Sequence, residues 1–143
     1  MSYVSIYIHL VWSTKYREKI ITNELKPLLI EHIKSNAKEK GIFIDRINCV
    51  ADHIHLIVSL TANQSISKIV QLIKGESSYW VNKNKLINRK FEWQDDYFAI
   101  SISKSALEKV RKYVENQEEH HRVKSFAEEF EQFIKNYDFE NLG

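Results

Sequence analysis

Polar and apolar positions alternate with period two in four stretches of this chain and recur at helical spacing in the segments between and after them. Residues 3–12, YVSIYIHLVW, set Tyr3, Ser5, Tyr7 and His9 on one side of an extended chain and Val4, Ile6, Ile8 and Leu10 on the other, in β-branched and aromatic types that suit a sheet. This predicts a first strand. Over 22–40, Leu25, Leu28, Leu29, Ile33 and Ala37 repeat at helical spacing. Pro27 falls in the first turn, where its missing N–H costs little, and Gly41 stands where such a helix stops. IFIDRINCV (42–50) and DHIHLIVSL (52–60) then read as two strands so close that Ala51 and Asp52 turn a tight hairpin between them, which makes them antiparallel neighbours. A second helix is predicted over 65–82 with Ile66, Ile69, Val70, Ile73 and Trp80 inward, then a basic loop over 83–90 and a fourth strand over 97–103. Ser105 with Glu108 and Ser125 with Glu128 match the capping box, predicting two more helix starts, the first opening a helix over 105–121.

The order strand, helix, strand, strand, helix, strand is the split βαβ pattern. It predicts an α+β fold with a ferredoxin-like or RRM-like (RNA-recognition) antiparallel sheet, helices on one face, and further helices at the C-terminus. With 143 residues, 43% of them hydrophobic, one proline and three glycines, the chain is expected to be a single domain over 1–143, with no linker composition anywhere. The lone cysteine, Cys49, excludes an internal disulfide and fits a reducing compartment, so a cytoplasmic location is expected. The apolar N-terminal run is too short and too interrupted for a membrane span and lacks a basic leader. Net charge is +2, but residues 125–143 hold five acids against Lys135, leaving +6 on residues 1–124. That asymmetry permits a phosphate-binding face and equally fits a solvated surface.

Candidate chemistry begins at His53 and His55. Two residues apart on a strand, both imidazoles look the same way, away from Ile54, Leu56, Val58 and Leu60. They are close enough to share a cation, yet a hydrogen-bonded pair in an ordinary sheet gives the same pattern. Tyr113 and Gln117 lie four apart, about 40° around a helix, so one face can carry both. A phenol beside an amide oxygen suggests a nucleophile beside a ligand, although a lone tyrosine there more simply packs its ring on the sheet. His120 and His121 follow closely and read as supporting, DNA-contacting or structural groups. Lys15, Arg17, Lys68, Lys74, Lys83, Lys85, Arg89 and Lys90 are candidate phosphate contacts, and Tyr16, Tyr79, Trp80 and Trp93 candidate stacking surfaces, with core packing the better default for Trp80.

Taken together, these residues resemble the single-tyrosine HUH transposases of the bacterial insertion-sequence 200/605 type, including the REP-associated transposases. The resemblance runs through WSTKYR (12–17), the histidine–hydrophobe–histidine of DHIHLIVSL, SISKIVQLIKGESSYW (65–80), WQDDYFAISIS (93–103) and, most specifically, YVENQEEHHRVKSFAEEF (113–130). One departure is Asp96, where a glycine is frequent in the family. The resemblance implies that Tyr113 is the nucleophile and that His53, His55 and Gln117 hold a divalent ion, with an amide oxygen and no cysteine ligand favouring Mg²⁺ or Mn²⁺. It also implies recognition of a DNA hairpin, and cleavage and strand transfer of single-stranded DNA through a 5′-phosphotyrosine. The expected assembly is a homodimer with composite active sites, the alternative being that Tyr113 docks in its own subunit. Two other functions fit the same strand order: a non-catalytic nucleic-acid-binding module of RNA-recognition type, and a domesticated relative that nicks palindromes.

Overall fold

In the computed structural model, residues 2–116 are described, with only Glu128 and Lys135 beyond them. Three eight-residue strands, β1 (Ile6–Ser13), β2 (Phe43–Val50) and β3 (His53–Leu60), and the shorter β4 (Phe98–Ile102) form one antiparallel sheet in the order β2-β3-β1-β4. Helices α1 (Leu25–Glu39) and α2 (Ile66–Lys83) are the two crossovers, and α3 (Leu107–Glu115) follows β4. The split βαβ reading therefore holds. No helix among the described residues is long and apolar enough to cross a membrane.

The two sheet faces have different fates. Ile8, Leu10 and Trp12 of β1 and Ile54, Leu56, Val58 and Leu60 of β3 pack against Leu25, Leu29, Ile33 and Ala37 of α1 and Ile69, Val70 and Ile73 of α2. Burying these side chains supplies most of the driving force for folding, at roughly 25 cal/mol per Å² of apolar surface. Cys49 belongs to this core, and burial pushes its thiol up to about 12, so it is a packing group. The other face carries His53, His55 and Ile57, and α3 lies over part of it through Leu107, Val110 and Val114.

Local chemistry explains the element ends and several departures from the sequence expectation. Pairing of β1 starts at Ile6 against Leu60, so Tyr3 and Val4 stay exposed beyond the sheet despite their strand-like pattern. The α1 end is a Schellman turn: Gly41, at φ +71°, lets the Ile42 N–H reach Ala37 O at 2.9 Å. At the front of α2 the Ser65 hydroxyl accepts from the Lys68 N–H at 3.2 Å. The inward positions late in α2 are Ser77 and Val81; Trp80 lies at the seam with α1, stacked on His32 at 3.9 Å. The capping box expected from Ser105 and Glu108 does not form. Ala106 occupies the N-cap, Ser105 pairs with Ser103, and the Glu108 carboxylate accepts from Arg111 at 2.6 Å, a stronger partner than a backbone N–H. Ser125 of the second predicted cap, and the stretch of the predicted helix over 117–121, lie outside the described residues. Asp96 is not among the positive-φ residues, so its loop has no backbone demand for glycine.

Candidate active site

The hairpin at Ala51–Asp52 delivers β3 directly into the site. Asp52 turns back, and its Oδ1 accepts from the His53 Nδ1–H at 2.8 Å, both side chains being buried. A carboxylate on Nδ1 fixes the tautomer with Nε2 as the basic nitrogen, which is the form of histidine that binds a metal. His55 lies on the same face, its ring centroid 5.2 Å from that of His53 and at 67° to it. Its Nδ1 is 2.8 Å from Nε2 of His9 on β1. The register explains the meeting: Val11 pairs with His55 and His9 with Ile57, so the two histidines are diagonal neighbours on one face. His9 is wholly buried, and desolvation lowers its pKa from 6.5 to about 3, so the ring is neutral at ordinary pH.

Helix α3 brings Tyr113 to the same place. Its ring centroid is 5.8 Å from His55 and 6.4 Å from His9, edge-on to both. The helix is clamped at two points. Arg111 donates to both oxygens of Asp45 at 2.7 and 2.8 Å, and the Asn48 amide donates to the Val114 and Glu115 carbonyls at the helix end, at 3.0 and 3.1 Å. Asp45 can reach Arg111 because β2 bulges there, its register shifting between Ile44 and Arg46. Arg46 also turns toward the helix and pairs with Glu115 at 2.7 Å.

Of the predicted site residues, the structure thus brings His53, His55 and Tyr113 together within one chain. Gln117, His120 and His121 lie outside the described residues. Among those that are described, no group of three His, Cys, Asp or Glu side chains is placed to hold a metal. Two imidazoles on one face of a strand suit a divalent ion. Asp52, His9 and Asn48 were not anticipated as site residues. The adjacency of an aspartate to a histidine was the one signal available for Asp52.

The basic candidates do not form one patch. Lys15 and Arg17 leave the sheet beside the site, because Ser13 pairs with His53, and Lys15 contacts Glu92 at 3.2 Å. Lys68, Lys74 and Lys83 ride on α2, across the sheet from the histidines. The Lys74 ammonium donates to the carbonyls of Gln94, Asp95 and Asp96 at 2.6, 3.0 and 2.9 Å, so its donors hold a loop. Lys83 sits over the Tyr79 ring at 5.7 Å, and Arg89 pairs with Glu18. Lys15, Tyr16, Lys74 and Tyr97 border an open cleft of about 930 Å³ between α2 and the 90–97 segment.

A sheet of this topology with an H-x-H strand and an opposed tyrosine helix defines the fold class of single-tyrosine DNA transposases. Residues 2–117 match the family model for IS200-like transposases, and the chain belongs to that family. It is 29% identical over 115 residues to the ISDra2 transposase TnpA of Deinococcus radiodurans, covering 76% of this chain and 81% of that one. It is 26% identical over 121 residues to the transposase for insertion sequence element IS200 of Salmonella typhimurium, covering 80% and 78%. A REP-associated tyrosine transposase solved bound to a REP hairpin superposes with a TM-score of 0.64 at 14% identity, over 85% of this chain and 72% of that one, a likeness of fold.

Proposed function

We propose that this transposase cleaves and rejoins single-stranded DNA next to a hairpin, with Tyr113 as nucleophile and His53, His55 and Gln117 as ligands of Mg²⁺ or Mn²⁺. The observation that carries the proposal is the position of the Tyr113 ring, 5.8 Å from that of His55, over a histidine pair whose first member is held by Asp52. When bound, the ion supplies positive charge to the non-bridging oxygens of the scissile phosphate and lowers the cost of ionising a phenol whose ordinary pKa is about 10.

Tyr113 Oη forms a bond to phosphorus as the bond from phosphorus to the 3′ oxygen breaks. The phenol gives up its proton and the departing oxygen gains one, leaving a free 3′-hydroxyl and a 5′-phosphotyrosine. The diester count is conserved, so a second 3′-hydroxyl can attack the phosphotyrosine and reseal the strand without a nucleotide cofactor. Packing of the half-buried Tyr113 against the apolar cluster of Ile57, Val110 and Val114 restricts the ring. The test uses a single-stranded oligonucleotide bearing a hairpin from DNA flanking the gene. With Mg²⁺, the protein should form a covalent adduct resistant to denaturing electrophoresis. Excess EDTA should abolish the adduct, and Tyr113→Phe should lower cleavage about a thousandfold or more while retaining hairpin binding. Undiminished cleavage by Tyr113→Phe would defeat the role of Tyr113 as nucleophile, and hairpin binding by the wild type with neither cleavage nor adduct would leave a binding module of RNA-recognition type.

A further inference from the structure

We infer that His9 is a positioning residue for the metal site: its Nε2 accepts the Nδ1–H of His55 and so presents the Nε2 lone pair of His55 to the ion. The inference rests on the reading of His53 and His55 as metal ligands. The two rings are buried, 5.0 Å apart between centroids, with Nε2 of His9 and Nδ1 of His55 at 2.8 Å.

One proton lies between those nitrogens, and its owner decides what His55 can do. If His9 donated, His55 Nδ1 would be the acceptor, its own proton would sit on Nε2, and the nitrogen on the far side of the ring would be unable to bind a cation. If His55 donates, Nε2 is basic. His53 is held in the same sense by the Asp52 carboxylate, at the same 2.8 Å. The two ligands therefore have matched supports of different charge: a carboxylate for His53, a neutral imidazole for His55. A second carboxylate in place of His9 would add negative charge to a buried face that must also receive a phosphodiester. A neutral acceptor orients the ring without that penalty. His9 also lies edge-on to Tyr113, so one buried side chain touches both the ligand and the nucleophile helix.

The experiment starts with the metal-free wild-type protein, ¹⁵N-labelled on histidine, and reads the tautomers by two-bond ¹H–¹⁵N correlation at neutral pH. His55 is expected to carry its proton on Nδ1, and His9 likewise, with Nε2 unprotonated in both. A proton on His55 Nε2 overturns the inference without any variant. Mn²⁺ binding is then followed by electron paramagnetic resonance for wild type, His9→Phe, His9→Gln and His53→Ala. His9→Phe fills the volume but cannot accept, and should weaken Mn²⁺ binding about 10- to 100-fold. His9→Gln, whose side-chain oxygen can accept, should recover part of that loss. Wild-type affinity in His9→Phe, with His53→Ala unable to bind Mn²⁺, sinks the role of His9 alone. Wild-type affinity in His53→Ala sinks the metal-site reading beneath it.

Discussion

His9 enters the protein as an ordinary member of an alternating strand, yet burial gives it a measurable signature. Its pKa is about 3 in the folded chain and near 6.5 when unfolded, so between those values the unfolded chain binds the extra proton. Stability is therefore unaffected by this ring above pH 6.5, falls as pH drops through the interval, and has lost its full share below pH 3. At 1.36 kcal/mol per pH unit, the loss by pH 5 is on the order of 2 kcal/mol. Urea melts of metal-free wild type and His9→Gln at pH 7 and pH 5 should show that extra acid loss in the wild type alone. Equal losses would mean that His9 titrates normally. Strand and helix periods say which way His53, His55 and Tyr113 face, and the family resemblance is what singled out Tyr113 as the expected nucleophile. The sequence could not reveal His9 or Asp52 as their supports. The first depends on a cross-strand register that pairs Val11 with His55, and the second on a side chain folding back across its own hairpin turn.

Elements are tied to one another by groups that sequence reading treats as surface. Lys74 is the main case. Its ammonium reaches three consecutive carbonyls, while Asn82 brackets Phe91 with a donor and an acceptor at 2.9 and 2.7 Å, and the Trp93 N–H donates to Ser77 at 2.8 Å. Segment 91–96 is thus stapled along α2 at three points, and a backbone bridge from Trp93 to Thr14 joins it to the end of β1 beside the site. A lysine that only touched phosphate would contribute salt-dependent DNA affinity and little stability. Lys74→Met should do the reverse: lower unfolding stability by about 1–3 kcal/mol and speed amide exchange in 94–97, while leaving the slope of hairpin affinity against salt unchanged. A slope reduced by about one with unchanged stability would make Lys74 a phosphate contact instead. The staple was hidden from the sequence because carbonyl acceptors leave no residue-type signal, whereas a cation on a helix reads equally as a phosphate contact.

Across the whole molecule, the sheet is covered on both sides by unequal layers. Among the described residues, α1 and α2 cover most of one face, and α3 covers part of the other, held by Val110 and Val114 on Ile57, by Arg111 on Asp45 and by Asn48 at its end. These contacts lie within one chain, and they put Tyr113 beside the histidines of its own subunit. A composite site would require each α3 to leave Asp45, Asn48 and the apolar patch and to remake equivalent contacts on a partner. Breaking the buried part of the Arg111–Asp45 pair alone would leave a carboxylate in β2 that is largely out of water. We therefore expect the arrangement in cis, with α3 kept on its own sheet by these contacts. Mixing inactive His55→Ala with inactive Tyr113→Phe separates the cases. Sites built in cis remain broken in every subunit, so the mixture should cleave no hairpin oligonucleotide above either protein alone. Composite sites would give mixed dimers in which one of two sites has both intact groups, with recovery of up to about a quarter of wild-type cleavage at random assortment. Adding Arg111→Ala to both proteins sharpens the result. If the clamp is what confines Tyr113 to its own chain, loosening it should let cleavage appear in a mixture that showed none before.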